Sequence, residues 1–482
     1  TTVMPPVPYV PFPDLDGTQL NGLTLSTATL DPNPYPGTPY AVGSGAALGS
    51  GSYSRIIWLP PTLTATGGDS YRVDIRIRSV GTDGNKEVPA SVTVDAVVSM
   101  EITLTNPYQS GAFLGAGVSG KLFDGGNIRV AGSIHLLGND NPPPTQVKFN
   151  NGSSQVNNYI GIDDPTNGLG TLFSKLPPLA TVDFNGETVS TLESVLRLRA
   201  GKVLLGSKGS IGEPDVSGNG DKETLDAIYS DGTITPATGD IYADVTDVYD
   251  MGEVTFPGLA DPYTDPHTGM SYPSYADWLD AHSYQPLAGG DLIIEAGTAS
   301  FSFTDAAGKG SIVWDANTDV LTVNGIVKVD GQVKLGKKGP PGGDLLAAVK
   351  YQGTGVLYAT DKIEIHKDLY PAGLYLQDGP DPDSAVDGNL GLVTATEILV
   401  ESGSPDPNVR VLAALYAENR IKIKEPSNIA GAAATNFLDL NSAGLVRIWQ
   451  VPRLASLYPS GMPADASTLA ISGSITNWHQ SR

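Results

Sequence analysis

Three groups of basic side chains have the spacing that binding to a phosphate backbone would use. Arg197, Arg199, Lys202 and Lys208 fall within twelve residues, Lys328, Lys334, Lys337 and Lys338 within eleven, and Arg410, Arg420, Lys422 and Lys424 within fifteen. Ammonium and guanidinium groups aligned along a repetitive surface neutralise successive phosphates and release their counterions. Tyr351, Tyr358, Tyr370, Tyr375 and Tyr416 are interleaved with them, and aromatic rings can stack on unpaired bases. The candidate DNA contacts are therefore Arg197, Arg199, Lys202, Lys208, Lys328, Lys334, Lys337, Lys338, Arg420, Lys422 and Lys424. The plainer expectation is a solvated strand face whose cations are balanced by neighbouring Asp and Glu.

Other chemistry is weaker. Asp378, Asp381, Asp383 and Asp387 cluster in QDGPDPDSAVDG. Such oxygens on a Gly-rich loop suit Ca²⁺, although the spacing is not that of an EF-hand. Asp261 and Asp265 form a smaller pair of the same kind. The five His (His135, His267, His282, His366, His479) are scattered without H-x-x-x-H spacing, so a His-ligated zinc site is not expected. Residues 115–120, GAGVSG, match G-x-G-x-x-G, but KLFDGG follows without helical period, which points to a turn at a strand end rather than a dinucleotide site. No G-x-S-x-G elbow occurs, and among 52 acids the spacing selects no pair for glycoside hydrolysis. No catalytic residue, resident metal or cofactor is expected, and the chain reads as a non-enzyme.

The elements that must carry these side chains are short strands. Residues 357–365 (LYATDKIEI), 392–400 (LVTATEILV) and 415–423 (LYAENRIKI) repeat one phrase at intervals of 35 and 23 residues. A second pair, 128–136 (IRVAGSIHL) and 327–335 (VKVDGQVKL), shares apolar positions around a central Gly. Recurrence of this kind marks stacked units that bury one face against their neighbours. Alternation places Lys362, Glu364, Glu397 and Lys422 on the outer surface. The fold class expected is all-β, an irregular β-solenoid joined to a small antiparallel sheet, with little helix. Residues 1–110 read as that sheet behind a Pro-rich arm, with strands at 54–59, 71–80 and 91–105. Residues 111–440 read as the solenoid, with loop-rich insertions at about 140–190 and 258–290 and an excursion at 206–220. One helix is expected after Ser274, capped by that residue and ending near His282. The prolines of 446–463 are expected to end the stacking, so that 441–482 closes the solenoid or returns to the small sheet, with a last strand at 468–478.

Composition agrees with many strands and tight turns: 57 Gly, 37 Pro, 40% hydrophobic and only 17% charged residues. The net charge of −23 opposes long-range attraction to nucleic acid, so local basic clusters would have to overcome it. No Cys is present, which removes disulfides and thiolate metal sites. No apolar run of about 18 residues occurs in the sequence.

Several stretches together are similar to a known family. The hairpin strand 71–80 with its partner reaching Val98, residues 345–371, the tail 446–463 and the closing Ile475-Thr476-Asn477-Trp478 resemble PilX-type minor pilins, and among them the large competence-associated minor pilins of thermophilic bacteria. The resemblance implies a non-enzymatic type IV pilus-tip subunit at the cell surface, reached through an inner-membrane precursor, with a solenoid inserted into a pilin-like sheet. Implied partners are other pilins and DNA captured during natural transformation, with no cofactor. The apolar N-terminal helix of type IV pilins, with Phe and Glu at the processing site, does not occur in these 482 residues. The chain therefore reads as an ectodomain, with membrane contact only through such a helix. The alternative is a β-solenoid adhesin or a phage-type polysaccharide depolymerase, which would need two carboxylates across one groove.

Overall fold

In the computed structural model, residues 106–464 are described apart from short gaps, chiefly 118–122, 157–169, 214–226, 339–345, 377–387 and 403–407; of 1–105 and 465–482 only the backbone of named strands is described. The chain divides into two units, one of Thr1–Thr105, Pro266–Thr268 and Ala466–Arg482, the other of Asn106–Asp265 and Gly269–Asp465. Each is all-β.

The smaller unit is an antiparallel sheet of Gly51–Gly67, Ser70–Asp83 and Ser91–Thr103, with Ile75 opposite Val98 and Ile77 opposite Ala96. Ser474–Ile475 and Gln480–Ser481, from the far end of the sequence, pair with Ser91–Thr103. In chain order the larger unit is thus inserted into this sheet. The rest of the strand expected at 468–478 lies outside the described residues.

The larger unit is a parallel β-solenoid of three faces whose interior columns run from strand to strand. On the first face Val327, Leu357, Leu392, Leu415, Ala433, Ala112, Ile134, Leu196 and Ile228 stack in register. On the second, Leu292, Val333, Ile363, Ile398, Ile421 and Leu438 do so. The third carries Val349, Leu369, Val411, Ile429, Ile448, Val130, Gln155 and Ile211. These side chains form one buried column of core. Alternation explains it: each strand turns every second residue inward, and β-branched and Leu side chains fill the pleat. Gln155 is the polar member of the column, and its amide is satisfied by Gly132 O at 3.2 Å, Ser194 Oγ at 2.9 Å and Gly212 N at 3.1 Å, which is the condition for burying it.

The repeated phrases are corners. Leu357–Ala359 lie on the first face and Ile363–Ile365 on the second, and the phrases at 392–400 and 415–423 turn the same corner on following rungs. IRVAGSIHL turns from the third face to the first. Its central Gly132 has φ +135°, and an added Cβ would lie 2.3 Å from Gln450 Cβ, so a side chain there is excluded.

Spatial order does not follow chain order. The stack climbs from Leu292–Ile294 to Leu438–Gln450, and its next rung is the early pair Ala112–Leu114 and Phe123–Ala131. It then continues through Ser154–Val156, Val195–Leu198 and Ala227–Ser230 to Val245–Asp247. The seam joins strands more than 300 residues apart in sequence. Residues 249–265 and 269–284 run back along the first face and end where Tyr284 bridges to Val327. They include the helix Tyr275–His282, whose N-cap Ser274 accepts from the Asp277 amide, as expected. This strap and the tail 451–463 bury a second apolar cluster against the outside of the solenoid, including Phe113, Tyr358, Tyr416, Trp449, Leu454 and Met462.

Several expectations are corrected. Gln146–Phe149 and Ser154–Val156, placed in a loop insertion, are rung strands. Ser210–Glu213, placed in an excursion, lies in the third face. Val446–Gln450, expected to end the stacking, sits at its centre. The prolines that follow, Pro452, Pro459 and Pro463, belong to the tail.

Candidate functional site

The predicted cations fall on two surfaces with different chemistry, apart from Arg410, which pairs with Asp368 on the third face. On the strapped first face, Arg197 is 2% exposed. Its guanidinium grips Asp250 of the strap, with Nε donating to Oδ1 at 2.8 Å and Nη2 to Oδ2 at 3.1 Å, and lies over the Tyr229 ring at 5.5 Å. Arg199 lies over Tyr249 at 5.6 Å. His135 Nε2 is 2.6 Å from the Tyr249 hydroxyl. Burial, reinforced by Arg197, pushes the imidazole down to about 3, so the ring is neutral and the phenol donates to it. Further down, Lys328 pairs with Asp280 of the helix at 2.7 Å. These cations hold the strap onto the solenoid.

The second face has the opposite character. Its outward positions run Lys334, Glu364, Leu399, Lys422 and Asp439 in register. Lys334 meets Glu364 at 3.3 Å and Lys422 meets Asp439 at 3.5 Å. Lys362 also binds Glu364, Lys338 binds Glu401, and Arg420 binds Glu397. Lys424 reaches Glu401 at 3.3 Å, and Lys337 reaches Glu295 at 3.9 Å. Burial alone would raise Glu364, but hydrogen bonds from Lys362, His366 and Lys334 outweigh it and hold the carboxyl at about 2. Glu401 is likewise lowered, with burial opposed by Lys338 and Lys424. Higher in the stack Lys148, Lys202 and Lys208 are exposed, and Lys208 has a left-handed φ of +61°.

The lysine clusters therefore come together on one face, while Arg197, Arg199 and Lys328 lie on another. The interleaved aromatics do not join them. Tyr351, Tyr375 and Tyr416 are wholly buried, the Tyr351 and Tyr416 hydroxyls donate to Leu412 O and Pro257 O, and Tyr358 is nearly buried. These four are packing residues, so base stacking on them is withdrawn; Tyr370 is half-buried on the third face, with Lys175 Nζ 5.4 Å over its ring. Glu401 and His366 were missed by reading the phrases alone. One residue beyond the end of each phrase stand His366, Glu401 and Lys424. That shared position was the available signal, and the structure links His366 Nδ1 to Glu401 O at 2.8 Å.

The calcium candidates Asp378, Asp381, Asp383 and Asp387 lie outside the described residues. Asp265 is buried and accepts from Trp278 Nε1 at 3.4 Å, and Asp261 accepts from the Gly258 amide at 2.9 Å. Among the described residues no three acidic or His side chains are grouped to hold a metal. Part of GAGVSG lies outside the described residues, and the chain resumes at Phe123 as a strand, not a helix. Among the described residues no helix is long and apolar enough to cross a membrane.

No protein-family model matches this chain, and no curated protein matches it. Among solved structures it is similar to the crystal structure of the competence-associated pilin ComZ from Thermus thermophilus, at 17% identity and TM-score 0.50, covering 97% of this chain and 90% of that one. A second likeness, to the DUF3494 domain of Shewanella frigidimarina ice-binding protein 1, has 11% identity and TM-score 0.19 over 73% of this chain and 98% of that one. The first likeness is one of fold, and it extends over both units.

Proposed function

We propose that this chain, with a fold like that of a competence-associated pilin, is a minor subunit of a type IV pilus, displayed at the cell surface, that takes part in DNA capture during natural transformation. The observation that carries the reading is the fold likeness over 97% of the chain, including a solenoid inserted in sequence between strands of a small antiparallel sheet. Its partners in this reading are neighbouring pilins and the phosphodiester backbone of DNA, met by the lysines of the second face. Binding is non-specific because those lysines lie on the outer side of a parallel sheet, and Tyr351, Tyr358, Tyr375 and Tyr416, being buried, offer no platform for bases.

The reading is non-enzymatic. A glycosidase needs one carboxyl kept protonated near neutral pH. Glu364 and Glu401 are instead held ionised by lysines. Glu418 is raised, mainly by burial, but its Oε2 accepts from the Leu259 amide of the strap at 3.2 Å, where it anchors the strap. A filter-binding titration of duplex DNA at low and moderate salt tests the proposal. Binding that weakens steeply with salt is expected; absence of binding at low salt, or binding indifferent to salt, overturns it.

A further inference from the structure

We propose that the phosphodiester contact is made by four lysines gathered on Glu364 and Glu401; this rests on the DNA-capture reading and narrows it to one part of the second face. Other ion pairs on the solenoid join one cation to one carboxylate, as in Arg197–Asp250, Lys328–Asp280, Arg420–Glu397 and Lys422–Asp439. Here the ratio is two to one. Lys334 and Lys362 share Glu364, and Lys338 and Lys424 share Glu401. Four ammonium groups against two carboxylates leave two positive charges in excess. Lys367, lying over Gly336, adds an ammonium, while Asp361 beside Lys362 and Asp291 beside Lys334 add two carboxylates, so one positive charge remains in excess.

The site is built as well as charged. Glu364 and Glu401 are 7% and 6% exposed, while the lysine side chains above them are between 32% and 58% exposed. His366 ties the two nodes together, with Nδ1 at 2.8 Å from Glu401 O and Nε2 at 3.3 Å from Glu364 Oε2. Carboxylates beneath and ammoniums above fix long side chains that would otherwise lose rotamer freedom on binding, which lowers the cost of association. From the strand of Lys334 to the strand preceding Lys424 there are three strand spacings, about 14 Å, enough to meet several phosphates of one strand. Higher up, Lys148 shares its rung with Asp140, and Asp231 and Asp240 lie one rung beyond Lys202 and Lys208.

The test uses the full chain, a short DNA duplex and, in a parallel arm, heparin, each titrated across a series of salt concentrations. In the double variant Lys362→Gln/Lys338→Gln each carboxylate keeps one lysine, so the fold should persist, and an unchanged thermal midpoint checks it. The slope of log affinity against log salt is expected to fall by about two for this variant and to stay at the wild-type value for Arg420→Gln/Lys422→Gln. If the wild type binds duplex and the first variant keeps its slope, the four-lysine site is overturned while DNA capture stands. If the wild type fails to bind duplex, DNA capture itself falls; heparin binding lost in the first variant would then assign the lysines to a sulfated glycan and overturn the phosphodiester assignment.

Discussion

The strapped first face and the bare charges of the second are two outer surfaces of the same rungs, built from the same strands, and they have opposite fates. Tyr416 and Lys422 are six residues apart on one rung. Tyr416 points outward into a second apolar core under Phe256, stacked on it at 5.5 Å. Lys422 points outward to an aspartate. The inner columns behind both are alike, so the difference lies in what the chain lays over them. A covered face uses its outward residues for stability. A face left with ion pairs whose cations are exposed contributes less stability than a covered apolar one, because exposed pairs are worth about 0–1 kcal/mol each, and its lysines are available to a partner.

The largest test of this contrast is to cut outward side chains on the first face. Tyr416→Ala removes a fully buried ring and a hydrogen bond, and should destabilise by about 3–5 kcal/mol in denaturant unfolding. Asp250→Ala leaves the Arg197 guanidinium buried without its carboxylate, which by the same measurement should cost about 3–5 kcal/mol. Loss of only a few tenths from either would mean that the strap is not part of the folded core, and the contrast would fail.

Acid should separate the faces next. His135 titrates at about 3 in the folded chain, below its ordinary value of about 6.5, so the unfolded chain binds the extra proton between those values. Stability from this group is complete above pH 6.5 and declines as pH falls toward 3. Glu364, at about 2 when folded against about 4.3 when unfolded, contributes above pH 4.3, and that contribution is lost as pH falls through 2. Unfolding measured from pH 7 to 4 should therefore report the first face, and His135→Gln should flatten that range. Glu364→Gln should lower stability across that range without changing its slope there, and flatten the pH dependence only below about pH 4.

Much of this contrast could be read from residues in order, and its decisive parts could not. The phrase L-Y-A…I-x-I identified rungs because a corner flanked by alternating apolar residues repeats locally. The helix followed from Ser274 and Asp277 for the same local reason. The seam did not, because Val446–Gln450 is an apolar strand that could stack in parallel on any other strand with matching alternation. Its neighbour Phe123–Ala131 is chosen by topology, and no local pattern encodes that choice. The prolines after Val451 looked like an end of stacking when they end only the rung. The cations of the site were visible as residue types. Their pairing was not, since whether Lys338 meets Glu401 or an empty strand edge depends on register across rungs. The tyrosines misled because nothing near Tyr416 in sequence announces that Phe256, 160 residues earlier, will cover it.

The smallest expected effect is the most discriminating. Lys422→Gln and Arg420→Gln each remove the more exposed member of an ion pair whose carboxylate is mostly buried, and each should change stability by about 1 kcal/mol. Tyr416→Ala on the same rung should cost several times that. The ratio matters more than either value. If the second face were also a structural surface, covered in the working protein by a segment of its own chain, then outward substitutions there would unfold the rung as those on the first face do. A near-neutral result for the pair, beside a large loss for Tyr416, makes the second face a surface whose charges are held in place for something outside the chain. Equal losses would make it a second buried face, and the lysines on Glu364 and Glu401 would then be counted with Arg197 as internal ties.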